Sequence, residues 1–225
     1  GGDSGKDGDG GDPTGPWVGK VVFKDGKCTE TNEGCAAVTV TGSYAYIACG
    51  SCGIRVVDVS KPASPTFIGL YENYNATSRH WNILSRGSFL YAGGDSCDIY
   101  NISNPSLPLP WSHIQGGWSS MFVKNDYAYI ANSNWLKIHD VSDSLNPAEV
   151  GSLYNSTVFP SAIWVDDRNY AYYDADTDGM GIIDVSNPAS PAYIGSFNEV
   201  GNPHDIFISG NYAYIASPLG LYIVD

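Results

Sequence analysis

A phrase of fourteen residues occurs twice in this chain, and weaker copies of it occur elsewhere. Residues 56–69 read VVDVSKPASPTFIG, and residues 182–195 read IIDVSNPASPAYIG. Related phrases stand at 99–112 and 138–151, and LYIVD ends the sequence at 221–225. The copies recur about every 40 residues, which is typical of four-stranded propeller blades. Each copy has an aspartate or asparagine at one shared position: Asp58, Asn101, Asp140, Asp184 and Asp225.

Each unit has the pattern of four short strands, with no helical periodicity. In the first unit, a VTV run leads through a Gly-Ser turn to YAYIA, and IRVVDV follows,. The prolines of the next segment, SKPASP, cannot donate hydrogen bonds to a sheet, so they predict a turn before the fourth strand, TFIGLYE,. A sheet this small cannot bury both faces alone, so neighbouring units must stack on it.

The fifth unit stops before its fourth strand, and GPWVGKVVF at 15–23 resembles the missing piece. We therefore predict an all-β fold, a five-bladed β-propeller closed by the N-terminal strand 16–23 joining the last blade. Residues 1–15 are predicted to be a Gly/Asp-rich tail or linker, and residues 16–225 a single domain. The predicted blades span about 36–71, 80–115, 119–154, 161–198, and 204–225 plus 16–23.

Charge and hydropathy exclude two classes of partner. The net charge of −13 repels nucleic acid phosphates and anionic membrane surfaces,. No run of about 18 apolar residues is present, so we predict no membrane span,. Three glycosylation sequons, together with five cysteines, favour an extracellular or cell-surface location; the sequons begin at Asn75, Asn101 and Asn155,.

The five cysteines are predicted to share one face, around the first two blades: Cys28, Cys35, Cys49, Cys52 and Cys97. We expect disulfides, with Cys28–Cys35 as one pair and a second pair among the other three. Each bridge would contribute about 2–4 kcal/mol, and the odd thiol would be free or bonded to another chain. Zinc or an iron–sulfur cluster is the alternative, but CGSC offers only one close pair of thiols,.

The sequence DADTDG in the fourth blade is a candidate calcium site on the same face. Asp174, Asp176 and Asp178 alternate before a glycine, and a Ca²⁺ ion would relieve the repulsion between their carboxylates. The loop resembles the start of an EF-hand and the calcium hairpins of integrin-type propellers. However, Ile182 and Val185 stand where those loops place further oxygen ligands. The alternative is a polar hairpin tip with an Asp-Gly turn.

Two histidines, His80 and His204, occupy equivalent predicted positions at the start of first strands, near the central channel. The pair could bind a metal or an anion at the channel mouth. No carboxylate recurs beside both of them, so we favour packing or water contacts.

The repeated aspartates precede Ser-Pro-type turns in most copies. Aspartate side chains commonly accept backbone N–H groups in such turns. We therefore predict a structural role for these residues.

The order of the YAYIA, IVDVSNP and P-x-x-[IV]-G segments over residues 16–225 resembles the LVIVD-repeat family of bacterial and archaeal cell-surface proteins. The second unit departs most, because Asn101 replaces the aspartate and LPLPWS replaces the P-x-x-I-G pattern. The resemblance implies a propeller and an extracellular setting. It implies no reaction, so it assigns no catalytic residue.

We interpret the chain as a non-enzymatic structural, adhesive or assembly module, for example a filament or surface-layer subunit. Self-association or binding to another surface protein through the 1–15 tail is expected, and glycans are further candidate partners. The alternatives are a carbohydrate-active enzyme and a monomeric ligand-binding propeller. A glycosidase needs two opposed carboxyl groups, and the only candidates near first strands are Asp166, Asp167 and Asp205.

Overall fold

Five antiparallel sheets of three or four strands make up the part of the chain that the structure describes. This is a computed structural model, which describes residues 34–73, 78–116, 119–132, 134–154, 162–175, 179–201 and 203–225. The sheets are arranged as a five-bladed β-propeller, so the prediction from the repeats is confirmed. Short runs of β-branched and aromatic residues form the strands, and tight turns join them,.

Four blades have four strands each, numbered in chain order. Blade 1 contains β1 to β4: Ala37–Thr41, Tyr44–Ala48, Ile54–Asp58 and Thr66–Tyr71. Blade 2 contains β5 to β8: His80–Arg86, Phe89–Gly94, Ser96–Asn101 and Leu109–Gln115. Blade 3 contains β9 to β12: Ser119–Lys124, Tyr127–Asn132, Trp135–Asp140 and Ala148–Tyr154. Blade 4 contains β13 to β16: Ile163–Val165, Tyr170–Asp174, Met180–Asp184 and Ala192–Phe197.

Blade 5 has three strands within the described residues, and a short 3-10 helix at Asn198–Val200 precedes it. Its strands are β17 to β19: Asp205–Ser209, Tyr212–Ser217 and Gly220–Val224. The predicted closing strand 16–23 and the tail 1–15 lie outside the described residues, so closure of the ring by that strand stays a prediction. The described part of the chain contains no helix long and apolar enough to cross a bilayer.

The first strand of each blade is the innermost. Neighbouring blades meet mainly through these strands, since β1 contacts β5, β5 contacts β9, β9 contacts β13 and β13 contacts β17. In blades 1 to 4, a register shift interrupts the pairing of strands three and four at the same point of the repeat. Such bulges bend the outer strand and increase its twist.

Each of the first four seams between blades is filled by one buried apolar cluster. In every case a tyrosine from strand two of one blade shares the cluster with an apolar residue from strand one of the next. Aromatic bulk fills the wedge between sheets that diverge from the axis. The pairs are Tyr46 with Ile83, Tyr91 with Met121, Tyr129 with Ile163, and Tyr172 with Ile206.

The seam between blade 5 and blade 1 differs from the other four, because no buried apolar cluster of the described residues joins these blades. Val38 and Val40 of β1 are 61% and 58% exposed, whereas Ile206 and Ile208 at the same repeat positions are 3% and 9% exposed. Ala45 on the adjoining strand is buried. The exposure in blade 1 is therefore concentrated on its innermost strand.

The face of blade 5 directed away from blade 4 is exposed as well. Phe207, Tyr214 and Ile223 are cross-strand neighbours on this face. Phe207 is 50% and Ile223 59% exposed, whereas Val56, which takes the place of Ile223 in blade 1, is fully buried. Leu221 on the same face is 67% exposed. The five most exposed apolar residues in the strands of the two blades that would meet here are referred to below as the open seam: Val38, Val40, Phe207, Leu221 and Ile223.

Candidate functional site

A pocket of about 430 Å³ lies where the innermost strands of blades 2 to 5 end. It is the candidate functional site, referred to below as the axial pocket. Three basic residues line it, Arg86, Lys124 and Arg168, together with Asp166 and Asp167. Arg86 and Lys124 are the last residues of β5 and β9, and residues 166–168 directly follow β13, so the first strands of three blades bring these side chains to one pocket.

Asp166 is the structural centre of the axial pocket. Its Oδ1 accepts the backbone N–H groups of Arg168 at 3.0 Å and Tyr170 at 2.9 Å. Its Oδ2 accepts Nε–H of Arg168 at 2.7 Å and the hydroxyl of Tyr172 at 3.1 Å. Burial alone would raise the pKa of Asp166, but these hydrogen bonds hold it below its ordinary value,. The carboxylate therefore stays ionised and fixes the turn.

Asp166 and Tyr172 in turn hold the guanidinium of Arg168. Nη2 donates to the Tyr172 hydroxyl at 3.0 Å, and the guanidinium carbon lies 6.0 Å from the centre of the Tyr170 ring. Hydrogen bonding to Asp166 raises the pKa of Arg168 further above its ordinary value. Lys124 lies beside this group, donating to the backbone carbonyl of Asp166 and pairing with Asp167 at 3.4 Å.

A row of aromatic rings runs along the innermost strands beside the basic groups. Phe122 and Trp164 line the axial pocket, with ring centres 4.7 Å apart. Trp164 also meets Phe207 edge-on at 4.9 Å. These three residues occupy one repeat position in blades 3, 4 and 5, where blades 1 and 2 have Thr39 and Leu84. The pocket therefore combines an aromatic wall with cationic groups.

A second cavity of about 560 Å³ continues from the axial pocket between blades 4 and 5. Arg168, Ile208 and Asn211 line both cavities. Ser196 and Phe197 of the outermost strand β16 also line this second cavity, which is referred to below as the groove between blades 4 and 5.

The enzyme alternative relied on Asp166, Asp167 and Asp205. Asp166 is committed to the turn described above, and Asp167 pairs with Lys124. Asp205 is exposed, and its Oδ1 accepts the backbone N–H of Ile206 at 2.9 Å. The first two lie together at the axial pocket, whereas Asp205 is at the opposite end of its innermost strand and is not a pocket residue.

The repeated aspartates have the structural role predicted for them. At four of the five repeat positions the side chain accepts the backbone N–H two residues later at 2.8 Å; the pairs are Asp58–Ser60, Asn101–Ser103, Asp140–Ser142 and Asp184–Ser186. Hydrogen bonds from the serine lower the pKa of Asp58, Asp140 and Asp184 below its ordinary value. An asparagine serves equally as acceptor, which explains why blade 2 keeps the turn.

The disulfide pairing differs from the prediction. Cys35 is bonded to Cys49, so the predicted Cys28–Cys35 pair is wrong. The register explains the pairing: Ala37 pairs with Ala48, which places Cys35 beside Cys49 just beyond the ends of β1 and β2. Cys52 is disulfide-bonded as well, while Cys28 lies outside the described residues.

Cys97 is the free thiol of the described cysteines, and it is buried. Burial raises the pKa of this thiol well above its ordinary value, so it stays protonated and unreactive. Because Cys49 and Cys52 are both oxidised, CGSC does not offer the thiolates that zinc or an iron–sulfur cluster needs,.

The predicted calcium loop lies only partly within the described residues. Asp174 is 2% exposed, and its Oδ2 accepts the backbone N–H of Ala162 at 3.1 Å. Asp176 and Asp178 lie outside the described residues. Among the residues that are described, no three His, Cys, Asp or Glu side chains form a metal-binding group. Calcium binding therefore stays a prediction.

The two candidate histidines are in different environments. His204 is exposed, whereas His80 is fully buried, with its Nε2 3.0 Å from Oδ2 of Asp98. Ser96 donates to the other oxygen of Asp98 at 2.8 Å. This buried hydrogen-bonded pair is not indicated by the sequence analysis. Its sequence signal is the glycine pair of YAGG in β6, because a Cβ atom at Gly94 would collide with the backbone carbonyl of Arg79, next to His80.

Of the three predicted glycosylation sites, Asn101 lies within the described residues. Its side-chain oxygen accepts the backbone N–H of Ser103, the last residue of its sequon. Asn75 and Asn155 lie outside the described residues, and use of all three sequons stays a prediction.

Sequence and structure comparisons agree with this architecture. The family model described as LVIVD repeat matches residues 35–73, 115–155, 161–199 and 200–225. No curated protein matches the chain by sequence. The predicted resemblance to LVIVD-repeat proteins is therefore confirmed.

Three solved structures resemble the chain in fold. A functionally unknown protein from Desulfotomaculum acetoxidans DSM 771 is 15% identical, with a TM-score of 0.70, and the match covers 81% of this chain and 62% of that one. A protein from Lactobacillus plantarum is 11% identical, with a TM-score of 0.68 and coverages of 85% and 70%. The computationally designed protein Ika8 is 9% identical, with a TM-score of 0.63 and coverages of 84% and 57%. At such identities the likeness shows the fold alone, and the match spans less than two thirds of the first and third of these chains.

Proposed function

This chain belongs to the LVIVD-repeat family, and from that premise we propose that it is a non-enzymatic extracellular propeller with a structural role. It acts as an adhesive or assembly module, for example as the subunit of a filament or surface layer. The observation that carries the proposal is the open seam, whose five apolar side chains are each at least half exposed.

Exposed apolar residues are ordinary when scattered, but a contiguous patch on a soluble protein usually marks an interaction site. Phe207 and Ile223 belong to one row of side chains across blade 5, and Leu221 lies on the same face. In the other blades, the positions equivalent to Ile223 are buried or half-buried against the next blade. Association with a second copy of the chain would therefore remove from water a surface that the repeat normally covers.

The edge strand of blade 5 supports the same proposal. Within the described residues, β19 pairs with β18 on one side only. Unpaired strand edges accept further strands. Residues 16–23 have the pattern of a fourth strand, and we propose that they pair with β19, either in the same chain or in a neighbouring copy. A second copy then covers the rest of the open seam.

An extracellular location is supported by the Cys35–Cys49 disulfide, since such bonds persist in oxidising compartments,. The use of Asp166 as a structural acceptor supports a non-enzymatic role, because a general acid or base must be able to exchange its proton with a substrate,.

The test of assembly is sedimentation of the whole chain over a range of concentrations, combined with electron microscopy. We expect concentration-dependent oligomers, and we expect the double variant Val38→Lys/Leu221→Lys to remain monomeric. The matched control is Leu145→Lys, which also places a lysine at a half-exposed leucine (52% exposed) but lies in the turn of blade 3. The control should assemble as the unmodified chain does.

A chain that stays monomeric at high concentration would contradict the proposal. Assembly of the Val38→Lys/Leu221→Lys variant at the same concentration as the control would show that copies associate through another surface. Deletion of residues 1–33 separates assembly through the N-terminal segment from assembly through the open seam. The deletion removes the candidate closing strand and the tail but leaves the five residues of the open seam in place.

We also propose that Ca²⁺ binds the DADTDG hairpin through Asp174, Asp176 and Asp178. Three carboxylates on one loop suit a hard cation that takes six to eight oxygen ligands. Addition of Ca²⁺ to chelator-treated protein should raise the melting temperature, and the variant Asp176→Asn/Asp178→Asn should lose that increase. An unchanged melting temperature in the unmodified chain would rule out a stabilising site.

A further inference from the structure

The axial pocket concentrates positive charge in an acidic protein. The chain has 11 Lys and Arg residues against 24 Asp and Glu residues. Three of the basic residues line this one pocket, where they face two carboxylates, Asp166 and Asp167. The charges come from blades 2, 3 and 4, so only the assembled propeller brings them together.

Arg168 is held in a fixed orientation for binding. Asp166 takes its Nε–H and Tyr172 takes a hydrogen of Nη2. Among the described residues, the N–H groups of Nη1 have no partner, and they remain free to meet an anion. A guanidinium fixed by a buried carboxylate loses less entropy on binding than a mobile one and presents a planar pair of donors to a carboxylate.

Arg86 supplies a second cation at the same pocket. Its side chain is exposed and, among the described residues, makes no hydrogen bond or ion pair. The ammonium of Lys124, by contrast, already contacts Asp166 and Asp167. The two arginines are therefore the groups available to an anionic ligand.

The aromatic wall adds a second kind of recognition. Phe122 and Trp164 are half-buried and line the pocket. Apolar ring faces of this kind stack against the C–H surface of sugar rings, burying area without a hydrogen-bond requirement. Asn211, which also lines the pocket, offers an amide that can both donate and accept hydrogen bonds,. A volume of about 430 Å³ is within the usual range for small-ligand sites,.

We propose that the axial pocket binds a carboxylated sugar, a uronate residue of an acidic glycan chain. The sugar ring stacks on Trp164 and Phe122, its carboxylate meets Arg86 and Arg168, and its hydroxyls meet Asn211 and Asp167. The groove between blades 4 and 5 gives the flanking sugars of the chain a path outwards. The open seam and the axial pocket share no residue. Binding can therefore be measured on the variant Val38→Lys/Leu221→Lys, which keeps Phe207 beside Trp164.

The test is titration calorimetry of the whole chain with trigalacturonate as the probe, together with quenching of tryptophan fluorescence. We expect saturable binding that weakens with added salt. Loss of one charge-assisted contact in Arg86→Gln should weaken binding by about tenfold. The matched control is Lys137→Gln, which removes a charge of the same sign from β11, outside the pocket, and should bind as tightly as the unmodified chain.

Two further probes separate the saccharide from simpler ligands. A neutral galactotriose should bind at least about tenfold more weakly than trigalacturonate, because it lacks the carboxylates. Sodium sulfate should not compete beyond its effect on ionic strength. The proposal would be overturned if the neutral sugar bound as tightly as trigalacturonate, or if sulfate competed with the affinity of the uronate. It would also be overturned if Arg86→Gln and Lys137→Gln weakened binding equally. The proposal would also be overturned if trigalacturonate bound neither the unmodified chain nor the variant Val38→Lys/Leu221→Lys. That result would leave the proposal on assembly unaffected.

Discussion

The seam between blades 4 and 5 and the seam between blades 5 and 1 are built from the same repeat but differ in packing. In the first, Ile206 and Ile208 are buried against blade 4. In the second, Val38 and Val40, at the same repeat positions, face water. The repeated sequence thus specifies a blade and the two faces it offers. It does not specify what covers the last face.

The largest expected effect concerns the contribution of the Cys35–Cys49 disulfide to the free energy of unfolding. Among the described residues, strand β1 of blade 1 shares no buried apolar cluster with blade 5. The Cys35–Cys49 bond joins the start of β1 to the end of β2. The double variant Cys35→Ala/Cys49→Ala should lower the free energy of unfolding by about 3 kcal/mol, the value for a loop of this length. Chemical denaturation measures the loss.

The control for that variant is Cys97→Ala, which removes a buried thiol from blade 2 without breaking a covalent bond. It should cost less than the disulfide variant. A loss below about 1 kcal/mol for the disulfide variant would mean that packing, and not the cross-link, holds β1 in place.

The second prediction compares one substitution at two equivalent positions. Val165 of β13 is 3% exposed and Val40 of β1 is 58% exposed. Val165→Ala removes buried methyl groups and should cost about 2–3 kcal/mol. Val40→Ala should cost under about 0.5 kcal/mol, as surface substitutions do. Denaturant unfolding at low protein concentration, where assembly is absent, measures both.

Equal losses at the two positions would show that the open seam is closed within a single chain in solution. Repeating the pair after deletion of residues 1–33 would then identify the cover. If the cost of Val40→Ala disappears with the deletion, the N-terminal segment lies over β1.

The third prediction concerns a hydrogen bond that crosses a seam. The hydroxyl of Tyr46 donates to the backbone carbonyl of Pro105 in the next blade at 2.8 Å. Burial raises the pKa of Tyr46 to about 12, so it stays protonated and able to donate. Tyr46→Phe should cost about 1 kcal/mol.

Tyr214 is the equivalent tyrosine of blade 5, and it has no such bond within the described part of the chain. Tyr214→Phe should leave the free energy of unfolding unchanged. A cost matching that of Tyr46→Phe would place a carbonyl acceptor of another blade or another copy beside Tyr214.

The sequence predicted the blades well because each blade is specified locally. The turn after each third strand depends on an aspartate or asparagine and a serine two residues later. Strand pairing depends on runs such as YAYIA and the turns between them. These signals lie within about 40 residues, so they can be read without knowing the rest of the fold.

The disulfide pairing was harder to predict because it depends on register. Cys35 and Cys49 become neighbours only when β1 pairs with β2 in one specific alignment. Spacing along the chain favours Cys28 as the partner of Cys35, yet proximity in the sheet decides the bond.

The sequence indicates only part of the axial pocket. Asp166 and Asp167 are the candidate carboxylates of the glycosidase hypothesis, whereas no sequence pattern indicates Arg86, Lys124 and Arg168. These residues come from three blades, and no spacing in the sequence connects them. A comparison of the residues that end each first strand would have revealed the basic cluster once the propeller was accepted.

The smallest expected effect tests whether a repeat turn contributes equally to stability beside the open seam and between closed seams. Asp58 belongs to blade 1, beside the open seam, and Asp184 to blade 4, between closed ones. Both accept a serine N–H at 2.8 Å. Replacement by alanine removes the acceptor and should lower the melting temperature by about 2 °C in each case. Replacement by asparagine keeps the acceptor, as Asn101 does in blade 2, and should change little.

The pH dependence of the two substitutions has a defined sign. Hydrogen bonds from serine lower the pKa of Asp58 and Asp184 below the value of 3.8 expected without them. The stabilisation is therefore complete above about pH 4 and is lost as the pH falls through the folded-state pKa. The difference between the unmodified chain and each alanine variant should shrink below pH 4 in thermal melts. A larger effect at Asp184 than at Asp58 would show that the turn of blade 4 gains stability from the neighbouring blades. The stability of a repeat turn would then not be determined by its own residues alone.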